Sequence, residues 1–184
     1  MSPARTARRL LLAALTLAAL PAHSQTIPTP GGTFKGFDGI SAECIVQTPD
    51  PFATGTCKML FALLKKHAEK AGVKVVQAGS QMWEDVEIED RAHLEPPAGS
   101  DLKAPARLTF FVRGAQSAKI TGGFTRVAIW TPAEIDGRKG KLVLWEHSTL
   151  GTGPRTGLRK ALVASFGKHL DSVLTLFADH NKGS

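Results

Sequence analysis

Tyrosine is absent from this 184-residue chain, and tryptophan occurs only three times. So few flat polar rings leave no aromatic stripe on which bases or sugars could stack. Cysteine is limited to Cys44 and Cys57, with no histidine between them, too few soft ligands for a zinc site. Their spacing is far from Cys-x-x-Cys, which removes thiol-exchange chemistry. Beyond residue 20 no apolar run approaches the roughly 20 residues that span a bilayer, so no transmembrane segment is expected.

The usual catalytic signatures are missing as well. There is no G-x-S-x-G elbow and no H-E-x-x-H pair. The glycine-rich stretch Gly151 to Gly157 fails the nucleotide-loop pattern, because Leu158 follows Gly157. His67, His93, His147 and His169 include no i, i+4 helix pair. His147 stands between Glu146 and Ser148, but sequence neighbours do not build a triad, whose members converge from separate segments. No catalytic residue, metal or cofactor is assigned, and the reading leans away from an enzyme.

What is present begins with an export signal over residues 1–24. Arg5, Arg8 and Arg9 precede the apolar run Leu10 to Leu20, Pro21 breaks it, and Ala22 and Ser24 stand three and one before a cut at Gln25. That order of charge, apolar stretch and small residues is the secretory pattern. It predicts a periplasmic or secreted protein. No cysteine stands at the cut, so lipid attachment there is not indicated. The formal charge is +7, and three of the 23 basic residues lie in the signal, leaving a mild +4. That suits a weak anionic ligand and gives no argument for nucleic acid. In an exported chain, Cys44 and Cys57 are expected to pair as a disulfide.

The remainder divides into an irregular lead-in over 25–38, a single α+β domain over 39–180 and a polar tail over 181–184. Ile40 to Val46 alternates as a half-buried strand. Pro49-Asp50-Pro51 reads as a turn, with Thr54 or Thr56 capping a helix that ends at Ala71 before Gly72. Val73 to Gln77 completes a β-α-β start. Further strands are expected over 83–91, 108–113, 124–130 and 141–147, with a turn at Asp136-Gly137. Gly151 to Gly153 reads as a loop. Pro154 then opens a C-terminal helix to about Phe177, its stripe formed by Leu158, Leu162, Phe166, Leu170, Val173 and Phe177. The fold class expected is α+β, a mostly antiparallel sheet of about five or six strands with two helices packed on one face.

Two surfaces attract attention. Gly153, Arg155, Arg159 and Lys160 surround a helix start, where free N–H groups and cations could hold an anion. Glu84, Asp85, Glu87 and Glu89 form an acidic face, either a charge-protected edge strand or a dock for a basic partner. The function expected is a non-catalytic envelope protein that binds another envelope protein, an assembly accessory or adaptor. The alternatives are a periplasmic hydrolase or glycan-modifying enzyme and a carrier of small ligands or lipids.

Overall fold

The computed structural model describes residues 23–27, 34–47, 50–82, 95–116 and 121–182. In chain order the elements are β1 His23–Ile27, β2 Ile40–Val46, α1 Pro51–Ala71, β3 Val75–Met82, β4 Ala106–Gln116, β5 Thr121–Ile135, β6 Arg138–Gly153 and α2 Arg155–Asn181. The class is α+β, built from two helices and one sheet in the order β1-β6-β5-β4-β2-β3. The expected strand over 83–91 lies outside the described residues.

The sheet is mixed, which corrects the expectation of a mostly antiparallel one. β2 pairs in parallel with both β3 and β4, and the other pairings are antiparallel. The first parallel pair follows from the β-α-β unit, whose crossover helix returns the chain in the same direction. The second arises because the segment after β3 carries the chain back to start β4 on the far side of β2. Enclosed between parallel neighbours, β2 is buried along its whole length and on both faces, not half-buried.

Helix α1 starts earlier than the threonines suggest. The Asp50 carboxylate accepts the Phe52 and Ala53 N–H groups, and Pro51 occupies the first turn, where its missing N–H costs nothing. Gly72 closes the helix in the left-handed conformation, at φ 70°. Helix α2 runs past Phe177 to Asn181, so the tail expected from residue 181 begins as helix. The Asn181 side chain donates to the Phe34 carbonyl and accepts from the Gly36 and Phe37 N–H groups. Those bonds order the end of the stretch expected to be irregular. β1 spans the expected cut at Gln25, with His23 and Ser24 in the expected signal and Gln25 to Ile27 in the expected lead-in, and pairs with Glu146 to Leu150 of β6.

Gly151 to Gly153, expected as a loop, are the last residues of β6 and pair with Gly123 to Thr121. Glycine suits this corner. A methyl group on Gly123 would stand 2.9 Å from both Leu162 Cδ1 and Phe52 Cζ, side chains that press on the sheet from the two helices.

Cross-strand register sets Cys44, Phe110, Val127 and His147 in one row across β2, β4, β5 and β6. Both helices meet this row. Cys57 of α1 is bonded to Cys44, and the Phe61 and Phe166 rings contact Phe110 edge-on at 5.4 and 5.5 Å. The α2 stripe foreseen from spacing, Leu158 through Phe177, is buried at every position. Among the described residues no helix is long and apolar enough to cross a membrane.

Candidate functional site

The disulfide is present. Cys44 and Cys57 are joined with their Cα atoms 6.0 Å apart, tying the first turns of α1 to the buried strand β2. Such a bond persists in an oxidising compartment and fits a protein outside the cytoplasm.

Of the four residues named at the start of α2, only Arg159 is drawn toward α1. Gly153 ends β6, and Arg155 and Lys160 lie in the opening turns of α2, a helix without a side-chain cap. Arg159 instead turns toward α1. It donates to the Pro51 carbonyl at 2.9 Å, and its guanidinium stands 5.6 Å from the Phe52 ring. It thus joins the two helix starts above the small apolar cluster of Phe52, Leu158 and Leu162. The acidic residues Glu84, Asp85, Glu87 and Glu89 lie outside the described residues.

A polar cluster that sequence reasoning missed lies between β6 and α2. His147 Nε2 is 3.1 Å from Thr149 Oγ1 and 3.2 Å from Ser165 Oγ, and Thr149 donates to Ser165 at 2.9 Å. The His147 ring stacks on Trp145 and lies 4.6 Å from the His169 ring. Burial, then the nearby His169, pushes the His147 pKa down to about 4. At neutral pH it is an uncharged hydrogen-bonding group, only 1% exposed. Period-two alternation puts His147 and Thr149 on one side of β6 and Glu146 and Ser148 on the other. The sequence neighbours of His147 are therefore not its partners, and Glu146 pairs with Arg126 of β5 instead.

A second network occupies the opposite face of the sheet. Trp130 Nε1 donates to Thr109 Oγ1, and Thr109 donates to Glu43 Oε1, each at 2.9 Å. Gln81 donates to Glu43 Oε2 at 3.0 Å. Glu43 is 4% exposed, so these bonds offset the cost of burying its carboxylate. The signal in the sequence was the polar residue set within an apolar strand, which alternation alone assigns to solvent.

The third feature is shape. β4 and β5 begin pairing at Arg107 and Trp130, so Thr131 to Ile135 have only β6 beside them. These residues and Arg138 to Leu142 form a two-stranded arm closed by Asp136 at φ 52° and Gly137 at φ 75°. Positive φ at both central positions gives a turn whose twist matches that of the strands. Among the described residues no strand borders either edge of the arm. Arg138, Lys139 and Lys141 are exposed along it, Leu142 is 49% exposed, and the Lys141 amine lies 4.7 Å over the Trp130 ring.

No protein-family model matches the chain, and none of the curated proteins does. Among solved structures the chain is similar to the PelC dodecamer from Paraburkholderia phytofirmans. A point variant of PelC aligns at 12% identity and a TM-score of 0.43, covering 85% of this chain and 98% of that one. A second crystal form aligns at 13% identity and a TM-score of 0.40, covering 85% and 97%.

Proposed function

We propose that this is an exported envelope protein, periplasmic or secreted, that binds another envelope protein as an assembly accessory or adaptor and does not catalyse a reaction. The observation that carries this reading is the β5–β6 arm. A two-stranded ribbon standing alone in water is marginally stable, and a chain gains little by extending one unless something packs against it. Pro132, Glu134, Lys139 and Lys141 lie along the arm. Charges and proline of this kind discourage strand addition at an edge. The partner in this reading therefore packs on the face that carries Leu142, with Arg138 beside it.

Other features are consistent with it. The disulfide fits an oxidising compartment. The hydrolase reading needs a reacting group within reach of a substrate, whereas His147 is enclosed. Export with cleavage before Gln25 removes His23 and Ser24 and leaves Gln25 to Ile27 to pair with Glu146 to Ser148.

Photo-crosslinkers placed singly at Lys139, Leu142 and, as a control, the distant exposed Leu176 test the reading in intact cells. One defined envelope protein is expected to be captured from the first two sites only, and Leu142→Glu is expected to abolish the Lys139 adduct. Equal capture at all three sites, or none, overturns the reading. Mass spectrometry of the envelope form is expected to give an N-terminus at Gln25, and retention of Met1 contradicts export with processing.

A further inference from the structure

At the other end of the sheet, away from the arm, β3 is the border strand. α1 is tied to the strands beside it, through Cys57 to Cys44 of β2 and Phe61 to Phe110 of β4. It leaves the helix-side surface of β3 partly uncovered. The gap is a groove of about 530 Å³ with Phe61, Ala62, Val75 and Gln77 among its lining residues and Lys58 and Lys65 along its helix wall. Both lysines are exposed, and among the described residues neither makes an ion pair. Seven residues apart on a helix, they stand about 10 Å from one another along its axis.

We infer that this groove, with the open edge of β3, is the docking site for an extended acidic segment of a partner protein. Three properties converge on that chemistry. Among the described residues the outer edge of β3 pairs with no strand, so its backbone N–H and C=O groups can bond an added one. The side chains that such a strand turns toward α1 fall into the groove, whose apolar floor accepts a β-branched or aliphatic residue. The next helix-side positions along it come within reach of Lys58 and Lys65, so carboxylates there are matched and cations are repelled. The bulge in β3 at Ala78, opposite the Ala42–Glu43 step, raises the local twist of the edge. The site is separate from the arm, and its test does not depend on the arm binding anything.

The test uses the full chain and a labelled ten-residue peptide in which valine and glutamate alternate at every second position, with serine between them, so that both kinds of side chain share one strand face. Comparison peptides carry lysine for glutamate, or alternate N-methyl groups that block one row of backbone bonds. The glutamate peptide is expected to bind at least tenfold more tightly than either, with an affinity that falls as salt rises. Lys58→Glu with Lys65→Glu is expected to abolish that binding while thermal melting stays unchanged, because both side chains are exposed. Amide exchange is expected to slow within Val75 to Met82 when the peptide binds. Equal binding of the glutamate and lysine peptides, or binding unchanged in the double variant, overturns the inference. Three further outcomes overturn it by naming another occupant, each in the absence of binding by the alternating peptide. These are binding of phosphatidylglycerol vesicles, binding of a peptide with the sequence of residues 83–91, and self-association of the chain lost in the double variant.

Discussion

β5 and β6 run side by side throughout, yet their two halves sit in different surroundings. From Thr121 to Trp130, β5 is flanked on both sides, and Val127 and Ile129 are buried in the main core. From Thr131 onward the same pairing continues with no third strand and with most side chains in water. Backbone bonding is alike in both halves, and what separates them is burial. A hydrogen bond exchanged with water contributes about 1 kcal/mol net, whereas a buried large side chain contributes roughly 2–3 kcal/mol. The inner half therefore holds the fold, and the arm is free to be selected for something else.

The sharpest way to break this contrast is in the core. Phe166 is 1% exposed and touches Phe110 and Trp145. Phe166→Ala is expected to lower unfolding free energy by about 3–5 kcal/mol, through lost burial and the cavity left behind. Chemical denaturation measures it, and a loss below about 1 kcal/mol refutes the inner placement. Reducing the Cys44–Cys57 bond is expected to cost about 3 kcal/mol in the chain-entropy account. Paired melts with and without reductant read that cost directly.

The cluster at the inner end of β6 adds a dependence on pH that the arm does not share. His147 has its pKa lowered from 6.5 to about 4 in the folded protein. Between those values the unfolded chain binds a proton that the folded one refuses. Stability is therefore fully present above about pH 6.5, falls as pH drops toward 4, and changes no further below that on account of this group. The full effect amounts to about 3 kcal/mol. His147→Gln is expected to flatten the slope in that window, and an unchanged slope assigns it to other groups. The smallest effect belongs to the arm: Leu142→Ala is expected to change stability by less than about 0.5 kcal/mol while weakening partner capture. A large loss of stability there erases the contrast between the two halves.

Much of this division was legible in the sequence. The α2 stripe, the Gly72 stop, the Asp136-Gly137 turn, the disulfide and the β-α-β start follow from periodicity and local chemistry, which act within a few residues. The parallel pairing of β4 with β2 was not legible, because it depends on where a long connection returns the chain. The burial of Glu43 follows from that pairing, since only β4 supplies Thr109 and only β3 supplies Gln81. The start of α1 was misplaced because an aspartate before proline serves both turns and caps. The cluster around His147 joins two elements whose residues are 16 or more positions apart, and no single window contains it. The bond from Arg159 to the Pro51 carbonyl was not legible either, because the two lie 108 positions apart in sequence.

The bonds from Asn181 to Phe34, Gly36 and Phe37, with Phe34 and Phe177 in ring contact at 5.4 Å, close the chain upon itself. The residues that follow β1 and lead into β2 thus meet the end of α2, with 144 to 147 positions of sequence lying between the bonded groups. A polypeptide of that kind can be rewired without disturbing its interior. Joining Lys182 to Phe34 through a short flexible bridge and opening the chain in the segment between β3 and β4 gives a circular permutant with every strand pairing from β2 to β6 retained.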